Sequence, residues 1–344
     1  MPGDTNFEEC TAMWTRFWFS EKHRYNPLGL LRIVATSIWA TELPSYLRYM
    51  GLCNDLPDGY VADLLGLRMM GNAAFPLPEA LQQPFGLILY GALVLAFVGL
   101  FTRISLAVTA LGAFYLFAGE VASDGYDHQL LLTVYVLPVL AVAPGSRQLS
   151  LDAILKWWRG GKRTSFREAV LSFSTGKTWG YKLILCMFAS LYVAAGVSKL
   201  RYSDGRWVDG KTLSYYMANE ERQQVYFGQR DTFSPDLRAQ PIELVDQAYG
   251  AGSSKPARWM ARFGPLMALL ATATIVLELA APLLLGGPAV RLGYLASVFM
   301  MHTSIGLLMH LGFTQYRLYL LSLVDWRWLS SVLRAWIERR RPPG

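Results

Sequence analysis

Charge is what this sequence has least of. Only 17% of its 344 residues are charged and 53% are hydrophobic, where an ordinary soluble domain carries about 25% charge. Cysteine is nearly missing too. Cys10, Cys53 and Cys186 are expected inside, outside and within a membrane span respectively, so no intramolecular disulfide is expected, and no cysteine–histidine spacing suggests a metal. No glycine-rich phosphate loop, nucleophile elbow, internal repeat or low-complexity tract is present. The net charge of +7 and pI near 9.3 do not point to nucleic acid, for which no motif appears, because basic loops beside membrane helices give the same balance.

What is present is apolar sequence in blocks near the ~20 residues that a helix needs to cross a bilayer. The pattern predicts spans at 27–45, 84–102, 104–122, 128–144, 180–200, 263–286, 289–311 and 313–332. The expected fold is therefore an all-α polytopic bundle of about eight spans, a single domain over 1–344, with one mixed outer loop region at 201–262 as a cap. No cleavable signal peptide is apparent, and the first span is expected to double as the insertion signal. Membrane lipid is an expected partner. The segment containing Trp157, Trp158 and Phe166 reads as an amphipathic interfacial helix or, more plainly, a topology-setting basic loop.

Lysine and arginine set the orientation. The segment from Arg147 to Lys182 carries eight of them against Asp152 and Glu168, and is expected in the cytoplasm together with both termini. The 46–83 connection and the turn "EVASDGYDH" are acidic and are expected outside.

Polar groups at membrane depth are the informative remainder, because a charge there is costly and usually pairs, faces a cavity or works. Glu120, Asp127, His128 and Lys199 are expected at one outer boundary, a convergence typical of a site. Ala195 and Gly196 lie on the same helix face as Lys199, which lets a neighbour or ligand approach closely. Arg32 and Glu278 are expected in the inner half as a mutual ion pair, with Pro282 freeing a carbonyl near Glu278. His302 reads as a core histidine. With His310 it forms a polar line toward the outer boundary.

"YVAAGVSKLRYSDGRWVDG", with Tyr192, Ala195, Gly196, Lys199, Leu200, Trp207 and Gly210, resembles the lysine motif of the HTTM-domain membrane proteins, which include vitamin K-dependent γ-glutamyl carboxylase. "DGYDHQLL", "LELAAP" and "HLGFTQYRLYLLSLVDW" are similar to further segments of that family. The resemblance implies that Lys199 is the base that deprotonates a reduced quinone, of the vitamin K hydroquinone or menaquinol type. With O2 the quinol becomes a strong base that takes a proton from a glutamate γ-carbon, so that CO2 can add. It further implies that His128 orients the quinol or carries the proton onward, and that Tyr192, Gly196 and Trp207 bind substrate or quinone; Glu120, Asp127, His302 and His310 are candidates for the same role from their positions at membrane depth. A secreted peptide or protein is the implied partner, and the bacterial cytoplasmic membrane the implied location.

The carboxylase's large luminal domain has no counterpart here beyond 201–262, and "RYSDGR" is an insertion relative to the family pattern. A membrane protein that matures sporulation-delaying peptide toxins is similar in size and lacks that domain. Three readings stay open: a quinone-dependent γ-carboxylase-like enzyme, a peptide maturation or export partner without that chemistry, and a quinone- or lipid-binding structural subunit.

Overall fold

The computed structural model describes residues 15, 18, 25–53, 75–122, 128–160, 165–170, 178–203, 206–218, 254–309 and 311–340. The chain is all-α, with thirteen α-helices among these residues. In chain order they are α1 Leu28–Cys53, α2 Glu79–Val98, α3 Thr102–Ala122, α4 His128–Val142, α5 Leu151–Arg159, α6 Phe166–Val170 and α7 Trp179–Tyr202, then α8 Lys211–Ala218, α9 Lys255–Met260, α10 Gly264–Leu279, α11 Pro288–Met309, α12 Thr314–Leu323 and α13 Trp326–Arg339. Short 3-10 turns occupy Pro144–Arg147, Arg206–Asp209 and Ala281–Leu285.

Four helices among the described residues are long and apolar enough to cross a membrane, not eight: Glu79–Val98, Thr102–Gly119, Trp179–Tyr202 and Pro288–Met309. They make the chain an integral membrane protein. Their outer faces agree, since Leu87, Ile88, Val94, Met300 and Leu307 are all more than 60% exposed, which suits lipid rather than water.

The other four expected spans fall short for separate reasons. α1 runs on through Pro44 to Cys53 and carries Arg32, Glu42 and Arg48. α4 has 15 residues and α10 has 16, which at 1.5 Å per residue gives at most ~24 Å. Pro282 stands in the 3-10 turn that follows α10 and ends its ladder. The last expected span breaks at Val324–Asp325, where the Asp325 carboxylate accepts from the Trp328 N–H at 3.0 Å and starts a new helix.

Contacts divide the chain into two compact units, residues 1–187 with 321–344, and residues 188–320; α7 and α12 pass from one to the other. In the first, α1 packs against α2, α3 and α4, while α2 with α3 and α3 with α4 form antiparallel hairpins. The buried side of α1 includes Leu28, Leu31, Arg32, Ala35, Trp39, Leu43 and Met50, the three- and four-residue spacing of a helix stripe.

Arg32 is entirely buried. Its Nη1 donates to the carbonyls of Ala96 at 2.6 Å and Phe97 at 3.0 Å, and its Nη2 to those of Leu149 at 2.7 Å and Gln148 at 3.4 Å. The guanidinium thus closes the carbonyl end of α2, where a cation is favoured. Gly99 follows at φ 71°, and a Cβ there would stand 2.3 Å from Nη1. Phe101 and Leu149 adopt φ 48° and 51°, conformations that non-glycine residues hold only when their surroundings fix them.

Asp152 supplies part of that fixing. Its carboxylate accepts from the N–H groups of Phe101 at 3.0 Å and Thr102 at 2.9 Å, and from the Thr102 hydroxyl at 2.8 Å, capping α3. The start of α1, the end of α2, the start of α3 and the segment after α4 therefore meet at one end of this unit. α5, capped by Ser150, has no buried residue and Trp158 is 65% exposed, as an interfacial helix would have.

In the second unit, the Arg206–Asp209 turn and α8 pack on α10, and α9 packs on α8. Met217, Ala257, Ala261, Met267 and Met309 form a small core there. The turn, α8 and α9 are the described elements within 201–262, the segment expected as a cap. Gly210 makes the docking close: at φ 76°, a Cβ on it would lie 2.3 Å from the backbone nitrogen of Ala268, so only glycine fits.

Candidate functional site

The second unit concentrates its buried polar groups around one face of α7. Tyr192, Gly196 and Lys199 recur at four and three residues, so they share that face. Tyr192 is 5% exposed. Gly196 carries no side chain where α10 crosses: a Cβ would lie 3.1 Å from the Cβ of Glu278 and from Leu279. The small residue next to the lysine gives room to α10, which brings a carboxylate.

Lys199 Nζ lies 2.5 Å from Glu278 Oε1, with the two side chains 24% and 7% exposed. The Trp207 ring lies 5.6 Å from the same ammonium, measured to its centroid, within cation–π range. The expected Arg32–Glu278 pair is thus replaced on both sides. Glu278 takes Lys199, and Arg32 takes four carbonyls in its own unit.

Counting the α10 block from an assumed bilayer boundary put Glu278 in the inner half. α10 instead packs its first turn, at Met267 and Ala268, beside Gly210 beyond the end of α7, and runs back along α7 until Glu278 meets Gly196. Fourteen residues of α10 precede Glu278. The lysine is also an ion-paired amine, where the sequence suggested a lone desolvated one.

Behind the pair lies an aromatic cluster. The Tyr192 hydroxyl and His302 Nε2 are 3.4 Å apart. His302 stacks on Phe313 with centroids 4.7 Å apart at 26°, and meets Tyr316 edge-on at 5.4 Å. Tyr192 meets Tyr294 and Tyr316 edge-on at 6.5 and 6.3 Å. Glu278 lies within Coulombic reach of both Tyr192 and Tyr294.

Three atoms of this cluster are buried with no hydrogen-bond partner among the described residues: Glu278 Oε2, the Tyr294 hydroxyl and His302 Nδ1. The residues that bear them are 4–6% exposed. Buried polar atoms are normally satisfied, so three unpaired ones in a single cluster mark a place where a polar ligand would be held.

Of the residues named from the sequence, Lys199, Tyr192, Gly196, Trp207, His302 and Glu278 come together. Asp127 and His310, and the side chains of Glu120 and His128, lie outside the described residues, as does Cys10; Cys53 and Cys186 are free thiols. Tyr294, Phe313 and Tyr316 were missed. A signal for Tyr294 existed, because it stands eight residues before His302, the spacing that already related His302 to His310. No family model, curated protein or solved structure matches this chain.

Proposed function

We propose that the chain is an integral membrane enzyme of the γ-carboxylase-like type, working on a reduced quinone with O2 and CO2 to modify a glutamate of a secreted peptide or protein. The observation that carries this reading is the Lys199–Glu278 pair, whose own Oε2 has no partner among the described residues, together with two further buried polar atoms in the same condition, the Tyr294 hydroxyl and His302 Nδ1. The lysine motif supplies the reaction class. A reduced quinone of the vitamin K hydroquinone or menaquinol type is a flat ring with a hydroxyl at each end, and the groups near the pair are suited to it in kind: aromatic rings at Tyr192 and Tyr294 and polar atoms without partners among the described residues. Glu278 Oε2 is an acceptor, His302 Nδ1 either role according to tautomer, and Tyr294 both. When bound, the quinol would supply the base strength that no amino acid side chain has.

Lys199 and Glu278 then work as one acid–base unit. An ammonium cannot accept a proton, but with Glu278 Oε1 at 2.5 Å the proton on Nζ has a carboxylate to move to. The N–H bond breaks, an O–H bond forms, and two charges in an apolar setting become two neutral groups, which removes their desolvation cost. Nζ is then free to accept a proton from a hydroxyl delivered to it. Tyr192, fixed by its contact with His302, keeps the α7 face in place.

The same pair favours a second reading, because an ion-paired lysine also clamps α7 to α10 in a quinone- or lipid-binding subunit. Quinol-dependent carboxylation by purified protein, with Lys199→Ala, Lys199→Arg and Glu278→Gln beside wild type, decides between them. Loss of turnover in all three with the fold retained supports the enzyme. An active Lys199→Arg variant overturns it, since a guanidinium can clamp but cannot give up its proton.

We place the protein in a bacterial cytoplasmic membrane with the site facing outward and both termini in the cytoplasm, on the lysine and arginine asymmetry. A C-terminal tag labelled only after permeabilisation supports this. Labelling of intact cells opposes it.

A further inference from the structure

α13 is an exposed helix with an apolar side that no part of the described chain covers. None of its residues is buried. Trp326, Leu333, Trp336 and Ile337 are 45–51% exposed and, at spacings of seven, three and one, fall on one side of the helix with Leu329. Arg327, Ser330, Ser331, Arg334 and Glu338 fall on the other. The helix is not a continuation of α12, since Asp325 starts it anew and Trp326 Nε1 donates back to the Leu321 carbonyl at 3.0 Å. At its far end the Arg340 guanidinium sits 4.0 Å over the Trp336 ring.

We infer that α13 lies flat in the membrane–water interface and binds anionic phospholipid headgroups. Charge complementarity selects this occupant. Arg327, Arg334, Arg339 and Arg340 stand against a single glutamate, Glu338, and a basic amphipathic helix with tryptophan on its apolar side is the pattern of interfacial helices. Tryptophan prefers headgroup level, and the arginines reach phosphates while their stems cover apolar surface. A bilayer is already adjacent, because the same chain carries four helices fit to span one. A second copy would want a narrow stripe of aliphatic knobs, whereas this face carries two indoles with an arginine stacked on one. The inference is independent of the proposed enzyme activity.

The full chain is reconstituted in nanodiscs of phosphatidylcholine with or without phosphatidylglycerol, and the retained phosphatidylglycerol is counted by native mass spectrometry. Arg327→Gln/Arg334→Gln should lower its retention about fivefold per arginine removed. Both side chains are exposed, so the fold should survive. As a second measurement, brominated lipid should quench wild-type fluorescence more than that of Trp336→Phe. Equal retention by variant and wild type overturns the inference. So does quenching that Trp336→Phe leaves unchanged, or a dimer whose formation Trp336→Ala abolishes.

Discussion

Arg32 of the first unit and Lys199 of the second are both cations held among apolar helices, yet their surroundings differ in kind. Arg32 is wholly buried and has no carboxylate on its nitrogens; four carbonyls at the end of α2 and after α4 take the donors of Nη1 and Nη2, while Nε is buried without a partner among the described residues. Lys199 is a quarter exposed and spends its charge on Glu278. A planar five-donor fork suits a ring of fixed carbonyls, and a point charge that can lose a proton suits a carboxylate. The first arrangement uses up its acceptors. The second leaves Glu278 Oε2 unpaired next to two more unpaired atoms. Structure is what the first arrangement is for, and chemistry is what the second permits.

The largest effect expected from this contrast is on turnover. Lys199→Ala should reduce quinol-dependent activity by at least the ~10²–10⁴-fold that a positioned acid–base group contributes, and Glu278→Gln should fall in the same range. Arg32→Lys should leave turnover per folded molecule unchanged. A Glu278→Gln variant with wild-type rate would remove the carboxylate from the acid–base unit.

Next comes stability, where the order reverses. Arg32→Ala strips donors from several buried carbonyls at once and should cost about 3 kcal/mol or more, given ~1–3 kcal/mol for each group left unsatisfied. Thermal unfolding of the detergent-solubilised protein reads it. Arg32→Ala combined with Glu278→Ala should be additive within about 0.5 kcal/mol, since the two share no partner. A large coupling would restore the ion pair that the sequence suggested.

Helical character and the tight α2–α3 turn were legible because apolar block length and turn residues are local signals. Helix breaks were harder to read. Pro282 and Asp325 each sit inside an apolar stretch that hydropathy averages over, so two blocks were read as whole spans. The motif around Lys199 named Tyr192, Gly196 and Trp207, because those residues cluster along sixteen positions of chain. Glu278 is 79 residues away and its depth depends on where α10 starts against the cap, which no periodicity encodes. Tyr294 and Tyr316 lie on two other helices, and only packing puts them against Tyr192.

A smaller effect tests the cap. Gly210→Ala places a Cβ against the α10 backbone at a positive φ, and should cost on the order of 1–3 kcal/mol while lowering activity through the position of Glu278. Gly99→Ala makes a comparable clash in the first unit and should lower stability with no change in rate per folded molecule. If Gly210→Ala also left the rate per folded molecule unchanged, the cap would have no part in setting the Lys199–Glu278 geometry.

The smallest effect compares the two carboxylates. Partial burial works to raise the Asp152 carboxyl, but the donors from Thr102 and Phe101 and the nearby Arg147 outweigh it and hold the group below its ordinary value. In the unfolded chain it returns to about 3.9. A depressed folded value means that Asp152 stabilises the native state in full above that pH. Its contribution is lost as pH falls through the lower folded value, because the native carboxylate must then take a proton. Asp152→Ala removes a helix cap and should cost about 0.5–2 kcal/mol at neutral pH, and the gap from wild type in thermal unfolding should narrow as pH falls below the ordinary carboxylate range. A gap that stayed constant or widened in acid would mean that Asp152 acts through packing, and the contrast with Glu278, whose second oxygen has no partner among the described residues, would lose its electrostatic half.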